Sequence, residues 1–279
     1  MAQTLPRKLL VAGGTGFLGL SICKAAALKG WDIVSLSRKG KPTSISSQNA
    51  PWADKVTWET GDALEPESYK HLLPGVTSVV HSVGILLEQD YKHVAQSQSL
   101  CGVLSGAAGV VAEMTGMKDR GNPLDPNQEN HQMTYERMNR DTAIELAKAA
   151  GKESSTMESF VYISASDLFP MINPRYITTK REAEKFLFSR PEYRSIILRP
   201  GLMYSADRPA AIPLANAIKA ANCVTAPLAR DIASFPLGKL LTTPPLHIDV
   251  VAAAVVASIE SKQKGIFDVA GIQEMARQY

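Results

Sequence analysis

Short apolar runs alternate along this chain with longer stretches of helical spacing. Leu9-Leu10-Val11-Ala12 is apolar throughout and stops at glycines, the signature of a strand buried on both faces. Residues 17–29 then carry apolar positions at helical intervals, with Gly30 just past the end. Asp32-Ile33-Val34-Ser35-Leu36-Ser37 reads as a second strand, which completes a βαβ unit. The alternation continues with a strand over 55–59, a short helix over 66–73 and a strand over 77–81 that runs into Ser82-Val83-Gly84. Beyond these, a helix over 138–150 stops at Gly151, a strand covers 160–164, a helix 175–188, and a strand 195–199 precedes Pro200-Gly201.

Strands alternating with helices predict an α/β fold, a doubly wound parallel sheet of Rossmann type. Right-handed crossovers bring every strand's carboxyl end to one edge, where ligands bind. Two stretches break the rhythm. Residues 86–135 form a long insertion rich in Gly, Asn, Gln and Pro directly after a strand end, a functional lid or a disordered segment. Residues 205–245 are punctuated by prolines around a helical patch at 211–221. The expected organisation is a Rossmann core over 1–204 carrying that insertion. Residues 205–279 follow as a small substrate lobe with a returning C-terminal strand and helix, integrated in the same domain.

Composition narrows the picture. With 279 residues, 45% of them hydrophobic, the chain can bury a sizeable core without staples. The net charge of +3, with no dense block of Lys and Arg, excludes a nucleic-acid footprint. Cys23, Cys101 and Cys223 are odd in number and form no CxxC pair, so neither a disulfide framework nor zinc is expected. The five histidines lack ligand spacing, and no metal is expected. No leader is visible before the first strand. Residues 100–117 are apolar but rich in Gly, Ala and Ser and contain Glu113; they read as a loop with some helix, not as a membrane span.

The chemistry concentrates at strand ends. Gly13-Gly14-Thr15-Gly16-Phe17-Leu18-Gly19 follows a strand and opens a helix. In that context the first glycine permits a tight turn, the next lets backbone approach a pyrophosphate, and the last allows close helix–sheet packing. Backbone N–H groups at the helix start then hold phosphate. At the end of the second strand, where NAD-selective sites place an acid for the ribose hydroxyl, stand Ser37, Arg38 and Lys39. A guanidinium suits a 2′-phosphate, so NADP(H) is expected in preference to NAD(H). Asp62, after Gly61, is placed to accept from an adenine amino group, and equally to bond its own turn. Tyr176 and Lys180 lie four apart on one face of a helix, where an ammonium favours phenolate and readies the tyrosine to pass a proton. The strand before that helix ends in Ser164-Ala165-Ser166; Ser166 is the first choice to meet a substrate carbonyl and Ser164 its rival. Asn139, on an earlier helix, could complete a proton path through water. His81 and His247 read as structural, and the absence of a G-x-S-x-G elbow argues against an α/β-hydrolase.

These motifs together resemble the short-chain dehydrogenase/reductase superfamily, in its extended or atypical branch. The resemblance runs through Gly61-Asp62-Ala63-Leu64, Val79-Val80-His81-Ser82-Val83-Gly84, Asn139 with Thr142, Leu198-Arg199-Pro200-Gly201 and Pro245-Leu246-His247-Ile248-Asp249-Val250. It implies catalytic positions at Asn139, Ser166, Tyr176 and Lys180. The implied dinucleotide site takes in the glycine turn from Gly13 to Gly19, Ser37, Arg38, Asp62, Ser82, Val83 and Gly84, with Tyr176 and Lys180 at the nicotinamide end. A narrower resemblance rests on His81 through Glu88, Tyr135-Glu136-Arg137-Met138-Asn139 and the segment from Tyr176 to Glu184. It is to the atypical reductase-like branch that holds mitochondrial proteins of coenzyme Q biosynthesis and an accessory subunit of respiratory complex I. That resemblance implies the matrix face of the inner membrane, peripheral association with it, a quinone biosynthetic protein complex as partner, and a hydrophobic quinone precursor as substrate. The long insertion and compact segment after Pro200 depart from the wider family and argue against sugar-nucleotide chemistry. A non-catalytic, NADP(H)-binding assembly subunit stays open beside the oxidoreductase.

Overall fold

The first apolar run becomes β1 (Lys8–Ala12), whose last four residues are buried, because a central parallel strand is covered on both faces. The computed structural model describes residues 7–43, 45, 50–86, 133–167, 172–206, 212–225 and 238–279. After β1 come α1 (Phe17–Leu28), β2 (Asp32–Ser37), β3 (Val56–Thr60) and β4 (Ser78–His81). One turn of π-helix (Glu136–Asp141) leads into α2 (Thr142–Glu153), followed by β5 (Ser159–Ile163), α3 (Pro174–Phe188) and β6 (Arg194–Leu198). The C-terminal part adds β7 (Met203–Tyr204), α4 (Ile212–Thr225), α5 (Gly238–Thr242), β8 (Leu246–His247), α6 (Ile248–Glu260), β9 (Gly265–Phe267) and α7 (Val269–Ala276).

The main sheet has seven strands in the order β3-β2-β1-β4-β5-β6-β9, and every neighbouring pair is parallel. This is the expected doubly wound sheet. Side chains alternate between its faces with period two. Leu9, Val11, Ile33, Val80, Val161 and Ile196 pack under α1, α6 and α7. Leu10, Val34, Val79, Phe160, Tyr162 and Ile197 pack under α2 and α3. Strand order reverses between β1 and β4, so a crevice opens at their carboxyl ends.

Local chemistry explains the boundaries. Helix α1 ends in a Schellman motif: Trp31 N–H donates to Ala26 O, Gly30 N–H donates to Ala27 O, and Gly30 takes φ of 77°. Helix α3 opens with Pro174 behind Asn173, whose side chain accepts from Arg175 N–H. His247 and Asp268 cap α6 and α7 in the same way.

Some expected boundaries shift. The helix over 66–73 is two 3₁₀ turns, Pro66–Ser68 and Lys70–Leu72. The Ser68 hydroxyl donates back to Glu65 O, and the buried Tyr69 hydroxyl is tied to Ala63 O, which holds the chain in tight turns. Helix α2 runs through Gly151 to Glu153 and stops where the Ser154 hydroxyl donates to Val76 O. The helical patch expected over 211–221 falls on α4 from Ile212 onward, and α4 packs on α5. The returning strand is β9, paired to β6, and α6 packs along α1. The readings for residues 87–132, including 100–117, lie outside the described residues. Among the described residues no helix is long and apolar enough to cross a membrane.

Helix α1 approaches the end of β1 so closely that a Cβ on Gly19 would stand 2.1 Å from Gly13 O. Gly19→Ala is therefore expected to destabilise the fold by about 1–3 kcal/mol or more, the usual cost of overpacking against backbone. Urea denaturation of both proteins checks this.

Candidate functional site

The glycine turn sits at the crevice between β1 and β4. Gly13 takes φ of 80°, which favours glycine, and donates its N–H to Leu36 O. Its carbonyl receives Gly16 N–H at 2.8 Å, closing the turn. A Cβ on Gly13 would lie 2.9 Å from the Ser82 hydroxyl, and one on Gly14 would lie 2.2 Å from that of Ser35. The turn therefore presents bare backbone to the crevice. Gly16 starts α1 without a side-chain cap, and no acid occupies the first turn, so the positive end of the helix is uncompensated. Behind the turn the Cys23 thiol is buried with its sulfur 3.8 Å from Gly14 O, and burial pushes its pKa up to about 12.

From this turn a cleft extends over the ends of β1, β2 and β3. It is lined by Gly13, Ser37, Arg38, Gly61, Asp62 and Ala63, and on the other side by Val83, Met138 and Thr142. Arg38 is exposed and makes no ion pair among the described residues. Asp62 is held by its own turn, one carboxylate oxygen accepting Leu64 N–H at 2.9 Å, which leaves the other oxygen for a ligand. The Ser82 hydroxyl donates to Ala12 O and pins the end of β4 to that of β1. Bare backbone, a free cation and an acid in this sequence along one cleft fit a nicotinamide dinucleotide.

Beyond Ser82 the chain meets Asn139. Ile85 N–H donates to Asn139 Oδ1 at 2.8 Å, and Asn139 Nδ2 donates to Ile85 O at 3.1 Å. The amide is fully buried and spent on backbone, so it shapes the loop after β4. Gly84 fits beneath it: a Cβ there would stand 2.7 Å from Asn139 Oδ1 and 3.1 Å from Lys180 Nζ. Lys180 is buried, donates to Ile163 O at 2.9 Å and lies 4.9 Å from the centre of the Tyr162 ring. Burial drives its pKa down to about 7, a shift that nearby Glu184 opposes and Arg181 reinforces. Tyr176, one turn earlier on α3, packs against Ile85, Tyr135 and Met138, with the Tyr135 ring edge-on at 6.0 Å. Gly84, Asn139 and Lys180 thus converge, and Tyr176 lines the same wall.

The two serines part ways. Ser164 is 4% exposed and donates to Glu184 Oε1 at 2.5 Å while accepting from Arg181, so its hydroxyl is consumed. Ser166 is half-buried and donates to Arg199 O at 2.6 Å, so its oxygen can still accept a hydrogen bond. Sequence reasoning did not find the ion cluster behind them. Glu184, buried, takes Arg181 Nη1 at 2.5 Å and both Nε and Nη2 of Arg199, and these partners hold its pKa below the usual carboxylate range against its burial. An i,i+3 Arg–Glu spacing by itself marks only neighbours on a helix; Arg199, just past the end of β6, closes the cluster on the buried Glu184. His81, expected to be structural, is fully buried with Nε2 2.9 Å from the Thr142 hydroxyl. Its pKa falls to about 3 through burial, with the Lys180 charge adding to the shift, so the ring is neutral. Among the described residues no group of His, Cys, Asp and Glu is arranged to hold a metal.

Comparison with known proteins identifies relatives of the chain and of its fold. A family model described as the NAD dependent epimerase/dehydratase family matches residues 9–94, the glycine turn and first strands. MIOREX complex component 2 of Saccharomyces cerevisiae is 37% identical over 93% of this chain and 96% of its own length. An uncharacterized chloroplastic protein of Arabidopsis thaliana is 29% identical over 99% of this chain and 79% of its own. Among solved structures, UDP-glucose 4-epimerase from Bifidobacterium longum in complex with NAD+ and UDP shares the fold with a TM-score of 0.54 and 15% identity, over 94% of this chain and 76% of that one. The enzyme WbmH of Bordetella bronchiseptica in complex with NAD+ does so with a TM-score of 0.54 and 14% identity, over 95% and 75%. The chain belongs to one family with MIOREX complex component 2 of Saccharomyces cerevisiae, and its first strands match the NAD dependent epimerase/dehydratase family model.

Proposed function

We propose that this protein binds NADP(H) and is an oxidoreductase that acts on a hydrophobic quinone precursor in mitochondrial ubiquinone biosynthesis. The observation that carries the cofactor reading is the cleft from the glycine turn to Arg38, where the adenosine end would meet a cation and no acid at the end of β2. Arg38 would hold a 2′-phosphate, Asp62 the adenine, and the turn from Gly13 to Gly19 the pyrophosphate. A nicotinamide cofactor supplies or accepts a hydride when bound. Tyr176 would give or take the accompanying proton, Lys180 would favour its phenolate and hold the ribose, and Ser166 would orient the substrate oxygen. Asn139 fixes the loop after β4 beside them. The setting, on the matrix face of the inner membrane within a biosynthetic protein complex, follows the sequence resemblance and the name of the yeast relative as a complex component.

A second reading is a non-catalytic subunit that keeps NADP(H) as a structural or sensing ligand. It is favoured by a specific feature: the Lys180 ammonium and the Ser166 hydroxyl both donate to backbone carbonyls. Cells lacking the protein separate the two readings. Under the first, wild type restores quinone levels and Tyr176→Phe does not; full restoration by Tyr176→Phe selects the second.

Titration of the purified protein with NADPH and NADH, read by nicotinamide fluorescence, tests the cofactor. Arg38→Ala is expected to weaken NADPH binding roughly tenfold or more and to leave NADH affinity within about threefold. Equal effects on both nucleotides would remove the 2′-phosphate assignment. Where turnover is found, Tyr176→Phe is expected to lower it about 100-fold or more with cofactor affinity kept.

Lys180 also imposes a pH dependence. Its pKa in the fold, about 7, lies below the ordinary lysine value of 10.5, so the unfolded chain binds the extra proton between them. Stability should therefore rise with pH above about 7, by at most about 1.4 kcal/mol per pH unit from this group. The raised Cys23 thiol opposes this only from about pH 9 upward. Urea denaturation from pH 7 to 8.5 should show the rise in wild type and its loss in Lys180→Met.

A further inference from the structure

The π-turn that carries Asn139 widens the helix, and Thr142 N–H reaches back to Arg137 O. Such a turn frees carbonyls that need other donors. The Thr142 hydroxyl donates to Met138 O at 2.8 Å, and the Tyr162 hydroxyl, from the neighbouring strand, donates to Asn139 O at 2.6 Å. Because Thr142 spends its hydrogen there, its oxygen accepts from His81 Nε2, and the neutral imidazole lies against Tyr162, ring centres 5.4 Å apart. Tyr162 is completely buried, and burial raises its pKa well above the ordinary value, so it remains a phenol and a donor. The other side of this residue faces α3: Lys180 Nζ stands over its ring at 4.9 Å while donating to Ile163 O.

We propose that Tyr162 is a positioning residue for the Tyr176–Lys180 site: its ring seats the Lys180 ammonium and its hydroxyl holds the Asn139 carbonyl, so one buried side chain sets both groups. The inference rests on reading Tyr176 and Lys180 as the chemical pair. A ring face attracts an ammonium through its quadrupole, and most strongly where water is excluded. The carbonyl bond fixes the backbone of Asn139, whose amide in turn clamps Ile85, and Gly84 beside it has room for no side chain. Loss of the hydroxyl alone would loosen the loop after β4. Loss of the ring would also unseat the ammonium. Glu184, Arg181, Tyr176 and the neutral His81 are the other titratable groups at this pocket.

The test uses the full chain with isotope-labelled lysine, the Lys180 signal assigned by its loss in Lys180→Met. Tyr162→Leu is expected to lower the Lys180 titration midpoint by roughly half to one pH unit, as the ammonium loses its ring, and Tyr162→Phe to restore it. A midpoint unmoved in cooperatively folded Tyr162→Leu overturns the proposal. Should that variant fail to fold, Tyr162→Phe decides alone: Ile85 amide exchange is expected to quicken several-fold, and unchanged exchange overturns the proposal. Wild-type NADPH titration judges the underlying reading separately, since its failure defeats that reading whatever the midpoints do.

Discussion

The contact between the start of α1 and the end of β1 governs the architecture of the ligand edge. Three glycines let two backbones meet where any side chain would intervene, and Gly19 lies almost against Gly13 O. That closeness aims the helix N-terminus at the crevice and sets the tilt of α1 over the sheet. Helix α6 packs along α1, and α7 packs on α6, so the C-terminal elements inherit their places from the same contact. A fold in which helix and strand touch this closely can hold phosphates with backbone alone, since N–H groups need no room for side chains.

Across the sheet the organisation rests on polar groups that are buried and nearly all satisfied. Asn139, Tyr162, Thr142 and His81 form one web, and Glu184 with Arg181, Arg199 and Ser164 form another. Lys180 lies between them, touching the first through the Tyr162 ring and the second through the Glu184 charge. Low dielectric makes both webs costly to disturb and leaves each group little choice of partner. The result is a lysine whose charge is finely balanced near neutral pH.

Much of this was legible in the sequence because it depends on local rules. A strand, a glycine turn and a helix announce the dinucleotide edge in one stretch of residues, and Gly30 marks the end of that helix by its conformation. The Tyr176–Lys180 spacing needs only the helical period. What could not be read depends on pairing across the fold. Gly151 has the chemistry of a helix stop, yet the stop is set by Ser154 reaching Val76 O from another segment. The π-turn leaves no mark in apolar periodicity, since its freed carbonyls are met by the Thr142 hydroxyl and by Tyr162, which comes from another strand. Ser164 and Ser166 differ by only two positions and could be told apart only after Glu184 and the carbonyl of Arg199 were placed.

The burial of Cys23 carries a practical consequence. Its sulfur lies under the glycine turn, sealed from solvent and held in the unreactive thiol form. A thiol reagent can reach it only when α1 lifts away from the strand beneath it. The rate of modification at this position is thus a clock for the opening of the turn itself, separate from the labelling of exposed Cys223. A ligand that braces the turn would slow that clock without touching the sulfur.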